Sequence, residues 1–178
     1  PSMSVSVPAL SLPNGLGGFA DGGKTYAIVL EGDQDTPAPW SNVMSNPRFG
    51  TVVSSSGGAT TWSENSRENR LTPFANDPVT DPSGEALYLR DDDTGATWSP
   101  TPGPRIRHRA SGRFLIRHSA GVTRFSRSFQ GVHQSLEVFV DATEPVKYSH
   151  LTLVNTTQAL RHLSVFAYND WVIGPPRE

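Results

Sequence analysis

Apolar and polar residues alternate along this chain with a period of two, and the 3, 4, 7 spacing of an amphipathic helix is missing. Val132–Val140 shows the pattern best. Val132, Gln134, Leu136, Val138 and Val140 share one face, and His133, Ser135, Glu137 and Phe139 share the other. Tyr26–Leu30 and Phe49–Ser54 are short β-branched or aromatic runs bounded by Gly and Pro. Ala86–Arg90 and Ala96–Ser99 flank Asp91-Asp92-Asp93-Thr94-Gly95, a turn in which Asp accepts local N–H groups and Gly supplies a positive φ. A run of longer strands follows: Arg113–His118, Gly121–Phe129, Val132–Val140, Val146–Val154 and Leu160–Tyr168. The breaks Ser119–Gly121, Gln130-Gly131, Asp141–Pro145 and Asn155–Gln158 are each short enough for a hairpin. These signals predict an all-β chain folded as an antiparallel β-sandwich.

The first half reads differently. Residues 36–80 carry Pro37, Pro39, Pro47, Pro73 and Pro78 around Gly57-Gly58. Because proline cannot occupy a central ladder, this stretch reads as a long, ordered, largely irregular loop with two short strands. Such a loop inside a compact domain is usually functional. Gly15-Leu16-Gly17-Gly18 precedes a strand rather than a helix, which makes it a tight turn rather than a phosphate loop.

Composition narrows the function classes. Among 178 residues there are 16 Gly, 15 Pro and no Cys, so no disulfide or thiolate zinc site is available. No apolar run reaches the roughly 18 residues of a spanning helix, and no basic-then-apolar leader opens the sequence. A net charge of −2 argues against a nucleic-acid partner. The charge is nevertheless divided: residues 1–100 hold 5 basic and 12 acidic groups, residues 101–178 hold 10 and 5. Two such halves neutralise each other when they face across one fold.

The usual catalytic templates find no match. His108, His118, His133, His150 and His162 lack metal-ligand spacing and read as strand or loop residues with local hydrogen bonds. Asp91-Asp92-Asp93 lacks the glycine and bidentate glutamate of a calcium loop and reads as a solvated hairpin tip. Arg105, Arg107 and Arg109 alternate as a basic edge strand or loop, and the sequon at Asn155 reads as a turn.

Residues 62–78 stand apart. They hold two Arg, two Glu, three Asn and one Asp, with Trp62 at one end and Phe74-Ala75-Asn76-Asp77-Pro78 at the other. Planar donors, amides and carboxylates beside aromatic rings are the groups that read sugar hydroxyls and stack on pyranose faces. The same residues would also serve as a polar network holding the loop in place.

At this segment the chain resembles the N-terminal domain of glycoside hydrolase family 94, formerly glycosyltransferase family 36. The matching stretches are Asn14–Phe19, Thr36–Trp40, Asn46–Gly50, Asn65–Pro78, Glu85–Asp91 with Trp98–Pro100, Val146–Asn155 and Tyr168–Val172. Asn-Ser-Arg-Glu-Asn-Arg-Leu-Thr-Pro with Asn-Asp-Pro-Val is similar to the version in cyclic β-1,2-glucan synthases and β-1,2-oligoglucan phosphorylases. The resemblance implies a galactose-mutarotase-like supersandwich of which these 178 residues are an incomplete part. It also implies a parent enzyme that uses inorganic phosphate as co-substrate and no cofactor, with the catalytic acid in an α/α barrel outside this chain. The expected partners are that barrel, a β-glucan oligosaccharide and a second copy in a homodimer. The expected location is the cytoplasm, or the cytoplasmic side of the inner membrane for a cyclic glucan synthase.

On that resemblance, Arg67, Glu68, Asn69 and Arg70 are expected in a loop at the active-site mouth. Trp62 and Phe74 are expected as stacking platforms or packing anchors, and Asn76 and Asp77 as caps of the loop. A free-standing carbohydrate-binding sandwich and a purely structural interface domain are the alternatives.

Overall fold

The computed structural model describes residues 5–104 and 112–174. Its twelve strands are β1 (Gly17–Ala20), β2 (Thr25–Glu31), β3 (Ser41–Asn46), β4 (Phe49–Ser54), β5 (Ala59–Ser63), β6 (Glu85–Asp91), β7 (Thr97–Trp98), β8 (Arg113–Ser119), β9 (Val122–Phe129), β10 (Val132–Val140), β11 (Lys147–Asn155) and β12 (Leu163–Asn169). One short 3₁₀ turn, Asp21–Gly23, is the helical element among the described residues. Every strand pairing is antiparallel.

The main sheet has six strands in the order β1-β2-β8-β9-β10-β11. Two three-stranded sheets, β3-β4-β5 and β12-β6-β7, complete the layers. The core lies between them. Ile28, Leu30, Phe114, Ile116, Phe125, Leu136 and Val138 from the main sheet pack with Met44 and Val53, and Leu87 closes against this cluster from β6. Alternation places these residues on one face, as in β10, where every second residue from Val132 to Val138 is buried. The opposite face carries a smaller cluster of Ala20, Ala27 and Leu115 beneath Val5 and Leu10.

Two amides on β3 fasten the small sheet to the large one. Asn42 Nδ2 donates to the carbonyls of Ser119 and Val122 at the β8–β9 turn. Asn46 Nδ2 donates to the carbonyls of Asp141 and Glu144 at the β10–β11 turn, at 2.9 and 2.8 Å. Four residues apart on a strand, the two side chains share a face, so one strand grips two turns.

The divided charge does meet across the fold: Glu31 pairs with Arg113, Glu85 with Lys147, and Asp91 with Arg161. The four described histidines each have a hydrogen-bond partner: Thr123 and the Trp40 carbonyl for His118, Ser128 for His133, Glu137 for His150, and Asp93 for His162, the last from a distant part of the chain. Arg105, Arg107, Arg109 and His108 lie outside the described residues.

Three expectations are corrected. Residues 36–80 contain three strands, not two, because Ser41–Asn46 forms a full ladder with Phe49–Ser54 despite its polar sequence. Asn155–Gln158 is not a hairpin: β12 leaves the main sheet and pairs with β6 along its whole length. Asp91 is not solvated. It is fully buried, its Oδ1 accepting the Asp93 and Thr94 N–H groups and its Oδ2 meeting Arg161. The backbone N–H of Thr94 comes first among the causes that hold its carboxyl below the usual range.

Candidate functional site

The loop that leaves β5 doubles back at once. Glu64 adopts a left-handed φ of 59°, and Asn65 Oδ1 accepts the N–H groups of Arg67 and Glu68 at 2.8 and 3.0 Å. This Asx turn lets the chain return along its own path: Ser63 N–H reaches the Asn69 carbonyl and Leu71 N–H reaches the Thr61 carbonyl. The turn therefore projects Arg67 and Glu68 outward. Their side chains are 87% and 72% exposed and pair with each other at 3.3 Å. Arg70 turns back, its Nε donating to the Ser66 carbonyl and its guanidinium lying 6.0 Å from the Phe74 ring centre.

Trp62 takes no part in this outward face. Its indole covers Gly50, where a Cβ would come within 2.3 Å of Cζ2. Phe74 differs: 48% exposed, it lines a surface groove of about 350 Å³ with Asn76 and Asp77. Asp77 Oδ1 accepts the Val79 and Thr80 N–H groups. The Thr80 hydroxyl, which donates to Oδ2, is the leading cause that keeps this carboxyl below its ordinary range. Asn76 has φ +49° and makes no side-chain hydrogen bond among the described residues.

Asp81 was not anticipated as a site residue. It stands where the Phe74 groove meets a second hollow of about 420 Å³. Its Oδ2 accepts the hydroxyls of Ser54, the last residue of β4, and Ser56, in the turn after it, at 2.8 and 2.5 Å. The repeat Asp77-Pro78 and Asp81-Pro82 was a sequence signal for two linked turns. The serine partners lie 27 and 25 positions away and have no local mark.

A second unanticipated group lies between the sheets. Lys147 on β11 pairs with Glu85 on β6, their side chains 12% and 14% exposed. Thr61 and Thr72 hydroxyls donate to Glu85 Oε1 at 2.5 and 2.9 Å, and Lys147 also donates to Thr61. Burial pushes the Glu85 carboxyl up, but the Lys147 charge and the three hydrogen bonds outweigh it and hold it below the usual value. With its charge and donors matched internally, this group reads as a brace between layers. No group of three or more His, Asp or Glu poised to hold a metal occurs among the described residues.

The arrangement defines an all-β sandwich that carries one projecting Arg–Glu loop and a polar groove beside it. The sequence comparisons say which kind. Residues 24–178 match the supersandwich domain of glycosyl hydrolase family 94, and the chain belongs to that family. It is 42% identical over 164 residues to the cyclic β-(1,2)-glucan synthase NdvB of Rhizobium meliloti (strain 1021), a match spanning 92% of this chain and 6% of that protein. It is 30% identical over 155 residues to N,N'-diacetylchitobiose phosphorylase of Vibrio proteolyticus, spanning 87% and 19%. Solabiose phosphorylase of Paenibacillus borealis is 28% identical over 168 residues, spanning 88% and 20%. The chain thus covers about a fifth or less of the length of these relatives. No described helix is long and apolar enough to cross a membrane.

Proposed function

We propose that this domain is the non-catalytic supersandwich of an inverting phosphorylase or glycosyltransferase acting on β-glucans, with β-1,2 linkages the favoured substrate. Its role there is to shape the mouth of an active site housed in an α/α barrel. The observation that carries this reading is the Asx-turn loop. Among the described residues, the side chains of Arg67 and Glu68 have no partner except each other. Groups that the domain does not use for its own bracing, unlike Glu85 and Lys147, are free to face a neighbouring domain or its substrate. Family membership supports the substrate class, since the relatives named above are saccharide phosphorylases and a glucan synthase. The same reading makes inorganic phosphate a co-substrate of the whole enzyme and a second copy its partner in a homodimer. It places the enzyme in the cytoplasm or on the cytoplasmic face of the inner membrane.

The test is Arg67→Ala in the full-length enzyme. An exposed side chain contributes little to stability, so Tm should stay within error while KM for the oligosaccharide rises or kcat falls. Unchanged kinetics would remove the loop from the active-site mouth. The isolated chain should release no phosphate from glucose-1-phosphate in the presence of a glucan acceptor. Release at an enzymatic rate would overturn the non-catalytic assignment.

A further inference from the structure

The groove beside the loop has its own chemistry. Its walls include Pro39, Pro73, Pro78 and Pro82, whose fixed φ values make the backbone rigid before anything binds. Most of the polar groups in it are already used. Ser41 donates to the Pro39 carbonyl, Thr60 to the Thr72 carbonyl and Ser54 to Asp81. Two are not. The Asn76 amide has no partner among the described residues, and Asp81 engages its serines through Oδ2 alone. Asp81 Oδ1 lies beside Gly58, 3.4 Å from where a Cβ would sit, and both residues line the groove.

Both residues are held in unfavourable backbone geometry. Asn76 has φ +49° and Asp81 has φ +39°. Strain of this kind persists where the surroundings over-determine a side chain's position, and it clusters at ligand sites. Here it aims an amide, which donates and accepts, and a carboxylate oxygen, which only accepts, into a space bordered by the half-exposed Phe74 ring.

The geometry points to a binding subsite for a neutral saccharide, held by hydroxyl donation to Asp81 Oδ1, by the Asn76 amide and by the apolar edge of Phe74. The lining of this groove contains no Lys or Arg, while it holds two carboxylates, Asp77 and Asp81. A phosphate or sugar phosphate would meet like charge there, whereas a polyhydroxylated chain offers the O–H donors that a carboxylate prefers. The volume of about 350 Å³ accommodates one or two sugar rings, the size of a subsite for a glucan passing over the domain surface. The choice of a glucan rests on the functional reading above; the site itself rests on the groove.

The experiment is chemical-shift mapping on the isotopically labelled chain, titrated separately with a β-1,2-linked glucose disaccharide, with glucose-1-phosphate and with calcium chloride. Saturable shifts centred on residues 74–81 with the disaccharide alone are the expected result. Asn76→Gly keeps a residue at home with positive φ and removes no side-chain hydrogen bond among the described residues. It should weaken the disaccharide up to about tenfold, the scale of one lost hydrogen bond. Asp81→Asn should weaken it by at least as much. No disaccharide shifts at the highest soluble concentration, equal affinity in Asn76→Gly, or saturation by the phosphate ester or calcium instead would each overturn the subsite. If the groove fails while Arg67→Ala still alters the full-length enzyme's kinetics, the subsite falls and the active-site-mouth reading stands. If the groove binds and Arg67→Ala is silent, the reverse holds.

Discussion

Lys147→Met is the perturbation that probes the layered fold most directly. The substitution keeps an unbranched side chain of similar length and removes the charge that faces Glu85. Both partners are nearly enclosed, at 12% and 14% side-chain exposure, so little solvent is available to replace the ammonium. Thr61 and Thr72 would still donate to the carboxylate, but its counter-charge would be gone. Removing one partner of a buried pair costs about 3–5 kcal/mol, and the retained hydroxyls place this case near the lower end. Against the 5–15 kcal/mol of a typical domain, about 3 kcal/mol lowers the urea midpoint by roughly 1–1.5 M. Unfolding is readily followed through the four tryptophans, using urea titrations at pH 7 and pH 5.

The pH dependence carries the sign. In the native protein the Glu85 pKa is depressed, so its contribution to stability is complete above its ordinary value and is lost as pH falls through the depressed one. Without Lys147 the folded pKa rises, so the variant takes up its proton at a higher pH than the parent does. The stability gap between the two is therefore full at pH 7 and shrinks as pH falls through the variant's pKa, by about 1.4 kcal/mol for each unit separating the two folded values. Pairing Lys147→Met with Glu85→Gln should recover most of the loss at pH 7, because a neutral amide can still accept from both threonines. A loss below about 1 kcal/mol at pH 7, or a gap that widens on acidification, would refute the brace.

Two further substitutions test the packing. Arg127 is buried between the rings of Phe114 and Phe129, 4.2 and 4.6 Å from their centres, with Nε and Nη2 lacking partners among the described residues and its pKa pushed down to about 10 by burial. Arg127→Met should leave Tm unchanged or raise it, since desolvated donors are replaced by a side chain of similar shape; a fall of more than about 2 kcal/mol would contradict this. The parent gains stability as pH climbs through about 10, where the unfolded chain still holds the proton, and the variant should lose that gain. Gly50→Ala should cost about 1–3 kcal/mol by displacing the Trp62 ring, seen as altered near-ultraviolet circular dichroism; an unperturbed Trp62 signal would show that β4 has slack there.

Much of the strand plan was readable because its causes are local. β4 and β10 have the bounds that alternation and flanking turn residues predict. Each such boundary depends on φ preferences and neighbours a few positions away, which the residues themselves carry. The composition of residues 62–78 likewise marked the region that now holds the projecting loop and one wall of the groove.

What stayed illegible involves partners far apart in the chain. β12 pairs with β6, more than 70 residues earlier, instead of continuing beside β11; Leu163 meets Asp91 in that register. The crossover carries Arg161 to Asp91 and turns an apparently solvated tip into a buried ion pair. Composition placed Trp62 and Phe74 together, whereas packing sent one onto Gly50 and the other to the groove. Asp81 acquires its role only when β4 and the turn after it deliver Ser54 and Ser56 to it. Alternation determines which residues can face a core, since the pleat of a strand is a property of successive residues. Which edges meet is decided when loops close, at an entropic cost that depends weakly on their length, so several pairings compete on nearly equal terms. The winner is the one that closes the shared core and brings Glu85 to Lys147 and Asp91 to Arg161, and that is a property of the whole fold.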